Sequence, residues 1–350
     1  MKTDLDDLDL ISSLDPSGMA EALNHFPDPL RSRKRQSAFE LGEGKRRFRS
    51  LVVMGMGGSA SAGDVVLDWV RKDLSVPAFV HREPGLPGFV NSGTLFIAIS
   101  YSGETLETLQ GFREARARRA QLIGIGTGGK LAELCTQFHV PFVKVEPAIA
   151  PRAALTQLIV ATSTALETLE AIRSTARGFE QAWRELMPLT NRCRVQIELE
   201  RNPAKRLAHN LLGHFLVLYS LQRMSSVARR FKNQLAENSK QVAKYEALPE
   251  SCHNEIEAWG SPPARSLPVI IRDAEESSFE RSIFEAFRST IGSASSTNPI
   301  QVRVSSQGVL SRLLCPILML DYVSVYLALL RRVDPTPTRL IAKYKKMKKS

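Results

Sequence analysis

Short apolar runs alternate with amphipathic stretches along most of this chain, and several of the runs end in glycine- or hydroxyl-rich turns. Leu51-Val52-Val53-Met54 stops at Gly55-Met56-Gly57-Gly58-Ser59, after which the pattern predicts a helix over 62–71. A second short strand is expected at 78–80. A third, over 94–99, runs into Ser100-Tyr101-Ser102-Gly103, and 104–120 reads as a helix with Leu106, Leu109 and Phe112 on one face. The strand expected at 122–125 stops at Gly126-Thr127-Gly128-Gly129, a helix restarts over 130–135, and 140–145 closes the set. Apolar runs of this length, bounded by turn residues, read as buried strands. Strands alternating with helices imply a parallel sheet covered on both faces.

Residues 153–200 read as mostly helical, and a second rhythm begins near Pro203. Helices are expected over 204–211, 224–244, 279–291 and 310–332, and strands over 214–219, 267–271 and 301–304. The fold class is therefore α/β, with two subdomains, each a parallel sheet flanked by helices. The expected segments are 1–45 (a polar arm with one helix starting after Asp15-Pro16-Ser17), 46–200 (first subdomain and helical linker) and 201–350 (second subdomain and C-terminal helices). The two halves suggest an ancient duplication, although no clear repeat is visible. With 43% hydrophobic residues in 350, the chain has enough apolar material for one large core or two ordinary ones.

The four cysteines are scattered, without a CxxC pair or a histidine at zinc-finger spacing, and read as reduced thiols. The N-terminus is acidic and lacks the apolar core of a signal peptide. No apolar run reaches the roughly 18–20 residues of a membrane span; 315–330 comes nearest, interrupted by Asp321. A cytoplasmic protein is expected. The net charge of +11 gathers at 31–35, 45–47 and 343–349. None of these clusters is interleaved with base-stacking aromatics, so nucleic acid is not the expected partner. They read as solvated surface or as a field that draws anionic metabolites.

Ligands of open α/β sheets bind at the carboxyl ends of the strands. Gly57 and Gly58 allow close backbone approach, and helix-start amides favour an anion. Ser59, Ser100, Ser102 and Thr105 add hydroxyl donors, which suit the several acceptor oxygens of a phosphate. The Gly55–Ser59 turn alone is also compatible with a plain tight turn: Ala60 stands where GxGxxG needs its third glycine, and no GK[ST] follows.

The strand ending Ser100-Tyr101-Ser102-Gly103-Glu104-Thr105-Leu106-Glu107-Thr108 resembles the phosphosugar signature of the sugar isomerase (SIS) family. Within it, the chain is similar to the bifunctional phosphoglucose/phosphomannose isomerases. Further matches are GMGGSxxxGD (55–64), PRAAL (151–155), RxKxQxxENxK (230–240) and HNEI (253–256) followed by Trp259. The segments 15–19 and 334–337 also fit.

The resemblance implies two SIS-type subdomains and aldose–ketose isomerisation of hexose 6-phosphates through ring opening and a cis-enediol(ate), with no metal or cofactor. It implies that Glu237 is the base serving both carbons, His253 the ring-opening acid and Arg152 the stabiliser of enediolate charge. It implies a homodimer in which His253 reaches the other subunit's site, and a ring-opening lysine in the C-terminal helix, Lys345 with Lys343 as rival. Gly58, Ser59, Ser100, Ser102 and Thr105 would bind the phosphate. Taken alone, Glu237 also reads as a surface glutamate paired with Lys232 or Lys240. The other histidines, His25, His81, His139, His209 and His214, have no partner motif and read as structural. The chain departs from the family pattern at Gly126-Thr127-Gly128, where a Thr-Ser-Gly-like turn is usual, and at 214–220, where Ser220 replaces a glycine. A non-catalytic SIS module that senses a sugar phosphate is the alternative.

Overall fold

A computed structural model describes residues 4–31, 48–295 and 298–349. The basic clusters at 32–35 and 45–47 lie outside these residues. Contacts divide the chain into two units, one holding residues 26–185 and 308–313, the other residues up to 25, 186–307 and from 314 onward.

Among its described residues the N-terminal segment holds three short α-helices where one was expected: α1 (Leu8–Leu14), α2 (Met19–Asn24) and α3 (Asp28–Arg31). Asp15 starts α2 by accepting hydrogen bonds from the amides of Met19 and Ala20, each 2.8 Å long. Pro29 lies in the first turn of α3, where a missing N–H costs nothing.

The first unit is built on β1 (Ser50–Met54), β2 (Ala78–His81), β3 (Thr94–Ile99), β4 (Gln121–Gly126) and β5 (Phe142–Lys144). They form a parallel sheet in the order β2-β1-β3-β4-β5. Helices α4 (Gly58–Val70), α5 (Leu106–Ala117) and α6 (Gly129–Gln137) follow β1, β3 and β4, and α7 (Leu155–Thr168) packs beside α4. Every residue of β3 is buried, as expected of a central parallel strand. Phe96 of β3 and Phe112 of α5 share one core with Val52, Met54 and Leu109. Full burial of a side chain of this size contributes about 1.5–3 kcal/mol.

After α8 (Ala176–Cys193) and α9 (Pro203–Leu211) comes the second sheet, made by β6 (Phe215–Leu221), β7 (Ala243–Leu248), β8 (Ser266–Arg272) and β9 (Ile300–Arg303). It is also parallel, in the order β7-β6-β8-β9. Its helices are α10 (Ser225–Glu237), α11 (Ser278–Ser295), α12 (Val309–Leu330) and α13 (Arg339–Lys349). Strand β7 lies partly inside the helix expected over 224–244. Helix α10 instead stops at Glu237, and Lys240 takes a left-handed backbone conformation, φ +54°, that turns the chain into the strand.

The apolar α12 is long enough to span a bilayer by length and composition, but 94% of its most apolar window is buried in the protein. Its Asp321, which interrupts the apolar run, forms a buried ion pair with Arg230 of α10. In the same unit, the fully buried Lys205 of α9 pairs with Asp6 at 3.0 Å and donates to the Val195 carbonyl. The four cysteines are free, and burial pushes the Cys135 and Cys193 thiols up to about 12.

Candidate active site

Three strands of the first sheet hand over to helices at the same carboxyl edge. Helices α4 and α5 start at Gly57 and Thr105 without a side-chain cap, although in α4 the Ser59 amide turns back to the Met56 carbonyl at 3.1 Å. Helix α6 differs, because its Lys130 amide donates to Glu104 Oε1 at 2.9 Å. The open helix starts are therefore those beside Gly58–Ser59 and Ser100–Thr105.

The hydroxyls divide by task. Ser100 is fully buried, and its Oγ donates to Thr105 Oγ1 at 3.1 Å, which braces the turn. Ser59 Oγ accepts the Tyr101 amide at 3.2 Å and so joins the first strand end to the third. Ser102 is exposed and Thr105 half-buried, which makes them the accessible donors. Gly58 lies against the backbone of Pro151 and Arg152: a Cβ there would meet the Pro151 carbonyl at 3.3 Å. That closeness sets the buried Arg152 beside the α4 helix start.

Several supports of the turn leave no signature in the sequence. Thr127 donates both its amide and its hydroxyl to the Tyr101 carbonyl, each at 2.8 Å. The Gly126-Thr127-Gly128 departure is thus a clamp on the neighbouring turn. The Tyr101 hydroxyl donates to the Ala148 carbonyl and accepts from the Ala148 amide. Gly103 has φ +72°, and a Cβ on it would lie 1.9 Å from the Gly128 carbonyl oxygen. Gly103→Ala is expected to cost about 1–2 kcal/mol in backbone conformation and more through that collision. Gly57→Ala, at φ +54° with open space around the Cβ, should carry only the conformational part. Thermal denaturation checks this, and a Gly103→Ala loss of no more than about 2 kcal/mol would rule out the collision.

The second unit holds Glu237, His253 and Lys345. Glu237 ends α10 and lines a cleft of about 590 Å³ with Lys240, Val333, Asp334, Pro337 and Leu340. Lys240 donates to the main-chain carbonyl of Glu237 at 2.5 Å, and to the Pro335 carbonyl at 3.2 Å. Asn238, next in sequence, is buried and donates to Ser324 Oγ. His253 is exposed between two short 3-10 turns, Glu250–His253 and Glu255–Gly260, and Lys343 and Lys345 are exposed on α13. None of these three lines the Glu237 cleft. Ser220, the second departure, lies within β6 and donates across the sheet to Tyr245. Among the described residues no group of three His, Cys, Asp or Glu side chains is arranged to hold a metal ion.

Across 334 residues the chain is 32% identical to the bifunctional phosphoglucose/phosphomannose isomerase of Caldicellulosiruptor bescii, covering 92% of this chain and 96% of that protein. The chain belongs to the bifunctional phosphoglucose/phosphomannose isomerase family. The relative of the same name from Aquifex aeolicus is 30% identical, over 85% of this chain and 90% of its own length. A SIS domain model matches residues 46–171, and a bacterial phospho-glucose isomerase C-terminal SIS domain model matches 200–347. Among solved structures, the C-terminal domain of glucosamine-fructose-6-phosphate aminotransferase from Francisella tularensis has the same fold, with a TM-score of 0.70 at 13% identity, covering 91% of this chain and 97% of that one.

In this member of the phosphoglucose/phosphomannose isomerase family the two sheets are not equivalent at their strand ends. Where β3 runs into hydroxyls, the corresponding β8 runs into Arg272-Asp273-Ala274-Glu275-Glu276. Arg272 is held by Glu276 at 2.6 Å and Glu285 at 3.0 Å, and these carboxylates raise its pKa further. An end filled by its own ion pairs and rich in carboxylates repels a phosphate.

Proposed function

We propose that the protein interconverts glucose 6-phosphate, and mannose 6-phosphate, with fructose 6-phosphate. The observation that carries this reading is the turn 100–105, with accessible hydroxyls at an uncapped helix start, in a chain that belongs to the isomerase family along almost all of its length. The phosphate sits on the accessible Ser102 and Thr105 hydroxyls, helped by the Gly58 amide, while the buried Ser59 and Ser100 hold the turn in shape. That anchor leaves the carbonyl end of the sugar for chemistry. His253, assisted by Lys345 with Lys343 as rival, opens the ring by proton transfer. Glu237 then takes the C2 proton of the aldose, giving a cis-enediol(ate), and returns it to C1. Arg152 stabilises the charge that develops on oxygen.

The protein acts as a homodimer, each subunit giving its His253 to the partner's site. The exposure of His253 and its absence from the Glu237 cleft support this arrangement.

A coupled assay with purified protein and fructose 6-phosphate tests the reading. Turnover to both aldose phosphates is expected. A protein that is stabilised by the ligand yet turns nothing over is a sensor, and the enzymatic reading fails. Ser102→Ala should raise KM about 10–100-fold, the worth of one hydrogen bond to a charged group, with kcat little changed. A fall in kcat alone would argue against a phosphate role for this hydroxyl.

A further inference from the structure

The loop that carries His253 is held from beneath by a polar network that is buried at Tyr219 and Trp259 and exposed at Lys244. Tyr219 of β6 is fully buried, its ring 4.6 Å from that of Phe287. Its hydroxyl accepts from Trp259 Nε1 at 2.7 Å and donates to Glu255 Oε1 at 3.3 Å. The same Glu255 oxygen accepts from Lys244 of β7 at 3.0 Å, and Lys244 also pairs with Glu246. Glu255 and Trp259 belong to the turn that directly follows His253. Asn254 stitches the two turns together: its side chain accepts the Glu255 amide at 2.6 Å and donates to Glu250 at 3.1 Å. The network thus reaches from two strands of the sheet to the residues on either side of the histidine.

We infer that Glu255 is a positioning residue for His253: its carboxylate pins the 250–260 loop to Tyr219 and Lys244 and so sets where the ring-opening acid stands. This rests on the proposal that His253 is that acid. A 3-10 turn has weak backbone geometry of its own, so a loop made of two such turns takes its position from its anchors. The anchors here are the buried Trp259 ring, which packs with Tyr219, the Cys252 and Ile256 side chains on the same core, and Glu255, whose carboxylate ties the loop to Tyr219 and Lys244. Burial and the neighbouring carboxylate hold the Tyr219 hydroxyl in its protonated, donating form, and the Glu255 contact favours the charged form of Lys244.

Exchange NMR of the α and β anomers of glucose 6-phosphate reads ring opening without transfer of a carbon-bound proton. Glu255→Ala should slow catalysed anomerisation by about 10–100-fold, the scale of a misplaced catalytic group. Glu255→Gln, which keeps an oxygen for Tyr219 and Lys244, should restore most of it. Affinity for fructose 6-phosphate by calorimetry should stay within about twofold, since binding common to ground and transition states is untouched. Glu255→Ala anomerising at the wild-type rate while His253→Ala does not would overturn the inference. So would a loss that merely tracks the folded fraction on a melting curve. His253→Ala anomerising normally would instead overturn the assignment of the acid itself. If Glu255→Ala fails to fold, Tyr219→Phe removes the bridging hydroxyl in its place, and an unchanged anomerisation rate there also overturns the inference.

Discussion

Glu237→Gln is expected to cut isomerisation by about 10²–10⁴-fold, the usual contribution of a positioned general base, while fructose 6-phosphate still binds. Glutamine has nearly the shape of glutamate but cannot take a proton from carbon. The fold around it should hold, because the end of α10 is fixed by groups other than the carboxylate. Asn238 is bonded to Ser324, the Ser239 hydroxyl donates to the Leu235 carbonyl, and Lys240 caps the Glu237 carbonyl. Turnover in a coupled assay and affinity by calorimetry separate the two effects. Mixing Glu237→Gln subunits with His253→Ala subunits adds a second check, because a mixed dimer would regain one site with both groups intact. If Glu237→Gln keeps most of its activity, the base lies elsewhere.

Asp321→Ala should destabilise the unit that holds Glu237 by about 3–5 kcal/mol, the cost of stranding a buried charge. Arg230 Nε lies 3.1 Å from both Asp321 oxygens, and Nη2 lies 2.5 Å from one of them. Both side chains are at most 2% exposed. For a unit of this size the melting temperature should fall by about 6–20 °C, as read by calorimetry. The paired replacement Arg230→Met/Asp321→Leu should cost far less, because it removes both charges together. Arg230 also opens the 230–240 motif, so the ion pair fixes the helix whose last residue is Glu237. A similar loss in the single and double variants would show that the pair's charge is not what matters there.

Apolar runs bounded by turn residues make eight of the nine strands among the described residues visible in the sequence, because both faces of a parallel sheet must be apolar. Strand β7 escapes for the converse reason. Ala243-Lys244-Tyr245-Glu246-Ala247-Leu248 is an edge strand, half of it partly exposed, and Ala, Lys and Glu are poor strand formers. The spacing of Arg230, Gln234 and Asn238 is legible as one helical stripe, and all three are buried with Glu237 at its margin. The hydroxyl turn is legible too, but its mechanical supports are not. Thr127 and Ala148 reach Tyr101 from 26 and 47 residues away, and Asp321 meets Arg230 across 91. Such pairings are set by strand order and helix packing, which leave no local periodicity to read.

The pairing of Lys205 with Asp6 spans 199 residues and bears on how this gene could be divided. A half-chain begun between the first sheet and α9 would express α9 with its lysine still entombed and the carboxylate that neutralises it missing. Duplication and fusion can leave two copies of a sheet, but once the leader of the polypeptide has become a counter-ion for its far half, the copies are no longer separable parts. Supplying residues 4–25 as a separate peptide is the minimal way to make such a half-chain whole.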